Sequence, residues 1–130
     1  MTETVFSAQI LILLYVIITF GYSAIEKLWL KKETLVFYKN HFKETFLKNR
    51  MPFLINLVIL LEIATVIICI AGLFYWLVFR ENNIGFYGLV LASLTLIALM
   101  IGQRIAKDYA GAMHITVYFI LTVFGVFLLQ

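Results

Sequence analysis

The chain has 130 residues, of which 64% are hydrophobic and only 13% are charged, and its net charge at pH 7 is +3. Soluble domains carry about 25% charged and about 45–50% apolar residues, so this composition indicates an integral membrane protein rather than a soluble one. The positive charge does not indicate nucleic-acid binding, because the basic residues flank the apolar segments instead of forming one basic surface.

Four apolar segments are long enough to cross a bilayer, which takes about 20 helical residues. They predict membrane helices over residues 5–29, 53–79, 84–105 and 113–129. The connections RENN and KDYAG, after the second and third segments, are short, so the helices that they join are predicted to be antiparallel. The predicted fold class is therefore all-α: residues 1–130 form a single domain, an integral membrane antiparallel four-helix bundle.

The one long connection, between the first two segments, has an amphipathic pattern. Leu35, Tyr38, Phe42 and Phe46 follow one another at spacings of three, four and four, with charged residues between them. This period predicts an interfacial helix over residues 33–49 that lies along the membrane surface and partly covers the mouth of the bundle. A solvated connector without a membrane contact is the alternative.

Basic residues are distributed unevenly among the loops. Seven of the ten Lys and Arg residues flank or fill the first loop and two flank the third, whereas Arg80 alone lies in the second. Loops rich in Lys and Arg stay in the cytoplasm. The first and third loops are therefore predicted to be cytoplasmic, and both termini lie on the other side of the membrane.

Glu62 lies inside the second apolar segment. An ionised carboxylate at the centre of a membrane helix costs roughly 2.5–3.5 kcal/mol on insertion scales, so it needs a partner or a function. At about 100° per residue, Thr65, Cys69 and Trp76 lie within about 60° of Glu62, and this face is predicted to point into the bundle. A structural ion pair or a protonated, hydrogen-bonded acid is the alternative to a functional site.

The other helices each have a distinctive face. The first has a polar stripe of Tyr15, Thr19, Tyr22, Ser23 and Glu26. The third has a ridge of small residues, Gly85, Gly88, Ala92, Thr95 and Gly102, which would allow close helix packing. On the fourth, His114, Tyr118, Thr122 and Gly125 share a face. The strongest polar residues of these faces lie toward the cytoplasm, which predicts a polar pocket in that half of the bundle.

Six residues are the candidates for lining this pocket: Tyr22, Lys27, Glu62, Arg104, His114 and Tyr118. Each of the other five has a structural alternative to a role beside Glu62. Lys27 and Arg104 could anchor helix ends at the headgroups, His114 could cap a helix, and the two tyrosines could be interfacial aromatic residues. No metal site is predicted. With one cysteine, the chain cannot form an internal disulfide or a Cys-x-x-Cys redox site.

Three stretches carry a family resemblance: FGYSAIEKL, PFLINLVILLEIATVIICIAGLF and GQRIAKDYAGA. The chain resembles the DoxX family of small four-helix bacterial membrane proteins over nearly its whole length. The helix-two glutamate of that family matches Glu62, whereas Ser23 occupies the position where the family typically has a glycine shortly before the helix-one lysine. The resemblance implies a bacterial inner (cytoplasmic) membrane protein. Together with the distribution of Lys and Arg, it predicts that both termini lie in the periplasm.

What the resemblance implies about function is broader. The family is named for a subunit of a thiosulfate:quinone oxidoreductase, and relatives take part in amine-dehydrogenase maturation and in a redox complex linked to thiol stress. Animal proteins with a similar bundle assist receptor assembly or bind sterols. A polar pocket is thus shared by proteins with different activities, and fold alone does not decide among them.

Two functions are therefore expected, and whether the protein is an enzyme stays open. The first is a subunit of a redox-associated membrane complex that binds a quinone, the one candidate cofactor, or a similar lipid-soluble molecule. The second is a non-catalytic accessory or assembly subunit that docks on a larger membrane protein. A small-solute or proton pathway is a weaker third. The expected partners are the lipid bilayer and either a larger membrane protein or a second copy of the chain, with no nucleic acid.

The distribution of basic residues yields a first prediction. A reporter that is active only outside the cytoplasm should be active when fused after Gln130, and a cytoplasmic reporter fused there should be silent. The opposite pattern would refute the predicted topology.

Overall fold

The structure, a computed structural model, describes residues 3–130, and side chains from residue 6 onward. Its α-helices are α1 (Glu3–Trp29), α2 (Lys31–His41), α3 (Met51–Phe79), α4 (Asn83–Ile105) and α5 (Tyr109–Leu129), with a 3-10 turn at Lys48–Arg50. All of these helices except α2 are long and apolar enough to cross a membrane, and no strand occurs among the described residues. The predicted all-α, four-helix membrane bundle is confirmed, and the chain is a multi-pass membrane protein.

Local chemistry explains where the helices begin and end. Pro52 lies in the first turn of α3, where its missing N–H costs no helical hydrogen bond. Arg80 ends the same helix in a left-handed conformation, with φ of 57°. The Asp108 carboxylate accepts a hydrogen bond from the Gly111 N–H at 3.0 Å, so α5 begins at Tyr109 instead of residue 113.

The membrane helices pack in the order α1, α3, α4, α5, with a smaller contact between α5 and α1. We call the end where α1 and α4 finish, and where α3 and α5 begin, the basic end, because nine of the ten Lys and Arg residues lie there. The core is formed by side chains that are almost fully buried. It includes Leu13, Val16, Phe20, Cys69, Leu89, Ala92, Leu96 and Leu129.

Polar contacts fasten α5 at the end opposite the basic end. The Gln9 side-chain amide of α1 donates a hydrogen bond to the Leu128 carbonyl, and the Asn82 amide donates to the Leu129 carbonyl. Deeper in the bundle, the Ser93 hydroxyl donates to the Thr122 hydroxyl at 2.9 Å, and both residues are buried. These contacts satisfy polar groups that could not bind water inside a bilayer.

Small residues let α3 and α4 approach closely in the half of the bundle farther from the basic end. A Cβ atom added at Gly72 would lie 2.5 Å from the backbone N and Cα of Gly85, and one added at Gly88 would lie 2.8 Å from the Cys69 sulfur. Gly85, Gly88, Ala92 and Thr95 are buried, as the predicted ridge requires, whereas Gly102 is only partly covered.

The helix α2, in the segment predicted to be interfacial, is shorter than predicted. It ends at His41, with Phe42 as its C-cap, so the prediction of one helix over 33–49 is wrong beyond residue 41. The Thr45 hydroxyl donates to the Phe42 carbonyl at 2.8 Å and accepts from the Leu47 N–H at 3.2 Å, which stabilises a tight turn after the helix. Phe42 is buried, but Phe46 is 78% exposed, so the predicted apolar stripe is broken at its last member.

The close contact of α3 with α4 yields a second prediction. Gly72→Ala should lower the free energy of unfolding by about 1–3 kcal/mol, because the added methyl group meets backbone that can move only if the helices separate. Thermal unfolding in detergent, followed by circular dichroism, measures this change.

Gly21→Ala is the matched control, because the nearest atom to its added Cβ, in Val66, lies at an ordinary 3.8 Å. It should unfold at or above the wild-type temperature. Equal losses in the two variants would contradict a specific contact at Gly72.

Candidate functional site

An ion pair joins α1 to α3 within the bundle. The Lys27 ammonium lies 3.0 Å from Oε1 of Glu62 and also donates a hydrogen bond to the Ser23 hydroxyl. Ser23 in turn donates to the same carboxylate oxygen at 3.2 Å. Glu62 is only 2% exposed, so the carboxylate predicted to face inward does so, and one of its predicted partners contacts it.

The periodicity of α1 explains why Lys27 reaches Glu62. The buried residues Val16, Phe20 and Ala24 follow at spacings of four, and Lys27 comes three residues later, on the same helical face. The predicted polar stripe lies to one side of this face. Tyr15, Tyr22 and Glu26 are therefore exposed, and only Ser23, at the edge of the stripe, contacts the ion pair.

One oxygen of the carboxylate is left without a partner. Oε2 of Glu62 is buried and accepts no hydrogen bond from the described residues. An unsatisfied buried acceptor costs roughly 1–3 kcal/mol, so this oxygen reduces the net stabilisation that the ion pair supplies. The Lys27 ammonium has three N–H donors, of which two are accounted for by Ser23 and Glu62.

An apolar cavity of about 330 Å³ lies beside this cluster, between the halves of α3 and α4 nearest the basic end. The segment from Tyr38 to Leu47 contributes to its wall on one side. Most of its surface is hydrocarbon, from residues that include Met51, Leu54, Val58, Leu61, Ala98 and Ile101. Its polar members are Lys27, Tyr38 and Gln103. An apolar space with a few polar groups is typical of sites for lipid-soluble ligands.

A second, more polar groove of about 440 Å³ lies between α1 and α2. Its polar lining residues include Tyr22, Glu26 and Glu33. Lys27 and Tyr38 line both this groove and the apolar cavity, so they lie between the two. The side chain of Lys27 is 17% exposed, which places its ammonium between the buried carboxylate and these open spaces.

The side chain of His41, at the end of α2, holds this helix beside the cavity through contacts that the sequence did not predict. Nε2 of His41 lies 2.9 Å from the Gln103 side-chain oxygen and 3.6 Å from the Asp108 carboxylate, and the His41 ring stacks on Phe37 with centroids 5.5 Å apart. These residues join the end of α2 to the connection between α4 and α5. No spacing in the sequence signals the contact, because its members are far apart along the chain.

The other predicted pocket residues do not contact Glu62. Tyr22 is 71% exposed and lines only the polar groove. The Arg104 guanidinium lies over the Tyr109 ring, 5.1 Å from its centroid, and is exposed. His114 and Tyr118 are exposed, and neither lines the apolar cavity or the polar groove. Within the described part of the chain, Lys27 and Glu62 are therefore the only two of the six candidates that an ion pair or a hydrogen bond joins, and Tyr22 shares only the polar groove with Lys27.

Comparisons of the chain with protein-family models, with curated proteins and with solved structures give no match. Within the described residues, no group of three or more His, Cys, Asp or Glu side chains is arranged to hold a metal ion. The site is therefore described by its own geometry: a buried ion pair beside an apolar cavity.

The ion pair yields a third prediction. Glu62→Gln should lower the free energy of unfolding by roughly 3–5 kcal/mol, because it leaves the Lys27 ammonium without its counter-charge. Thermal unfolding in detergent and the yield of folded protein measure the loss.

A double-mutant cycle with Lys27→Met separates the pair from either side chain alone. The double variant should be more stable than Glu62→Gln, since neither partner then leaves a buried charge unpaired. Lys31→Met, on the exposed start of α2, is the control for loss of a surface lysine. Additive losses in the cycle would contradict a coupled pair.

Proposed function

We propose that this chain is a small integral membrane subunit of the DoxX type that binds a quinone, or a similar lipid-soluble ring, in the apolar cavity between α3 and α4. One observation carries the proposal: the cavity has a volume of about 330 Å³, it is lined mostly by hydrocarbon, and the ion-paired Lys27 lies at its wall. Its volume is near the lower end of the range for small-molecule sites, about 300–1,000 Å³.

The chemistry of the wall suits a quinone. The ring and its methyl groups would contact aliphatic side chains of α3 and α4, and each carbonyl needs one hydrogen-bond donor. The Tyr38 hydroxyl, the Gln103 amide and the third N–H of Lys27 are donors among the lining residues. Tyr38 and Gln103 line the cavity, whereas Tyr22, His114 and Tyr118, which the sequence analysis named as candidates for lining the pocket, do not.

Glu62 acts in this proposal through Lys27. The carboxylate and the Ser23 hydroxyl hold the ammonium from one side, which fixes its position beside the cavity. Glu62 itself is not among the residues that line the cavity, and its Oε2 is buried, so the carboxylate acts on the ligand only by positioning Lys27.

The sequence has no paired thiols with which to pass electrons to a bound quinone. In this proposal the protein therefore works beside an electron-carrying partner in a redox-associated membrane complex. We place the membrane in a bacterial cell and the basic end in the cytoplasm, on the strength of the family resemblance and of the distribution of Lys and Arg.

Mass spectrometry of the protein purified in mild detergent tests the proposal, together with titration of a short-tailed ubiquinone analogue. We expect a quinone to copurify and the analogue to bind. Ala98→Phe places a ring in the cavity wall and should weaken binding of the analogue by at least about tenfold, because it fills the space that the ligand needs.

Ala110→Phe is the matched control, because Ala110 is exposed at the start of α5 and does not line the cavity. It should bind the analogue like wild type. A stoichiometric protein partner without any small molecule would contradict ligand binding and favour the accessory subunit.

A further inference from the structure

Three lysines converge on a separate concavity at the basic end, on the outside of the segment that joins α2 to α3. Lys39, Lys43 and Lys48 line a space of about 380 Å³ together with Asn49 and Pro52, and we call it the lysine pocket. All five residues are exposed, and no lysine of the pocket makes a salt bridge with any described residue. Three like charges that face one space without a counter-charge favour an anion there.

The convergence depends on the turn that interrupts the predicted helix. In a continuous helix, Lys39 and Lys43 would share a face, but Lys48 would lie about 180° from Lys39, at about 100° per residue. The α-helix instead ends at His41, and the chain continues in tighter turns, in which the N–H groups of Thr45 and Lys48 donate to the carbonyls three residues earlier. With this winding, Lys48 lines the same concavity as Lys39. The lysine pocket is therefore a consequence of tertiary structure and not of helical spacing.

Hydrogen bonds and a buried ring hold this turn. The Thr45 hydroxyl links the Phe42 carbonyl to the Leu47 N–H, and the Arg50 N–H donates to the Leu47 carbonyl at 2.9 Å. The ring of Phe42 is buried. The backbone that carries Lys43 and Lys48 is thus fixed to the bundle.

The position of the pocket relative to the membrane span indicates which anion fits. Pro52 lies in the first turn of α3, and the exposed apolar residues Phe53 and Leu60 follow it along the same helix. At about 100° per residue, Phe53 and Leu60 lie within about 100° of Pro52, so they continue the side of α3 that begins at the pocket. A molecule with an anionic group in the pocket could therefore lay an acyl chain along this hydrocarbon surface.

We propose that the lysine pocket binds the phosphate group of an anionic phospholipid, with its acyl chains against the exposed face of α3. The proposal does not depend on the quinone site, because none of the described residues lines both the apolar cavity and the lysine pocket. A lysine near the membrane surface strengthens binding of an anionic lipid by about fivefold, so the three together are expected to contribute roughly 100-fold.

Native mass spectrometry of the full chain in detergent tests the proposal, with added phosphatidylglycerol or with phosphatidylcholine of the same acyl chains. Wild type should retain phosphatidylglycerol in preference to phosphatidylcholine. The triple variant Lys39→Gln, Lys43→Gln, Lys48→Gln should bind phosphatidylglycerol roughly 100-fold more weakly and phosphatidylcholine as before. Each single Lys→Gln change should cost about fivefold, which keeps the test valid if the triple variant does not fold.

The triple variant Lys31→Gln, Lys32→Gln, Lys107→Gln is the matched control, because it removes the same charge from the same end of the bundle but outside the pocket. It should bind phosphatidylglycerol almost like wild type. Equal weakening in the two triple variants would overturn the proposal in favour of diffuse attraction. Displacement of the lipid by an equal concentration of inorganic phosphate would overturn it in favour of a free phosphate site.

Discussion

The ion pair between Lys27 and Glu62 fixes how α1 faces the rest of the bundle. Both groups lie where water is scarce, so each needs the other, and the pair forms only when the face with Val16, Phe20 and Ala24 points inward. That rotation leaves Tyr15 and Tyr22 on the outside. The same orientation of α1 places Lys27 at the wall of the apolar cavity. The Lys27 ammonium therefore pairs with the buried carboxylate and is also a hydrogen-bond donor at the cavity.

The contact surface between α3 and α4 is tight in one half and open in the other. Away from the basic end, Gly72 lies against Gly85 and Gly88 against Cys69, so the two backbones nearly touch. Toward the basic end, larger side chains such as Leu54 and Val58 line the space that remains between the helices. Close packing at the small residues therefore defines one end of the cavity. Because α3 and α4 are already in contact there, they cannot move closer as rigid helices, and the space at the other end stays open.

The turn after α2 serves both candidate sites. Phe42, Phe46 and Leu47 line the apolar cavity, whereas Lys43 and Lys48 face the lysine pocket. His41 fastens the beginning of this turn to Gln103 of α4. A change in the turn would therefore alter the apolar cavity and the lysine pocket together, although no described residue lines both.

The sequence by itself determined the membrane helices, because about 20 consecutive apolar residues have few stable alternatives to spanning a bilayer. It also indicated that Glu62, Thr65 and Cys69 face inward. A carboxylate inside a membrane helix needs partners, and Thr65 and Cys69 lie on the same helical face as Glu62. It could not orient the tyrosines of α1, because a tyrosine suits both a protein interior and a membrane interface.

Only the tertiary structure decided where the interfacial helix ends and which polar groups meet. Apolar spacing from Leu35 to Phe46 fits one helix, but burial of Phe42 and the hydrogen bonds of Thr45 favour a turn. The contacts of Lys27 with Glu62 and of His41 with Gln103 join different helices, and periodicity within one helix does not specify its partner across the bundle. The physical reason is that helical periodicity is local, whereas cavities and ion pairs depend on how separate helices are rotated against each other.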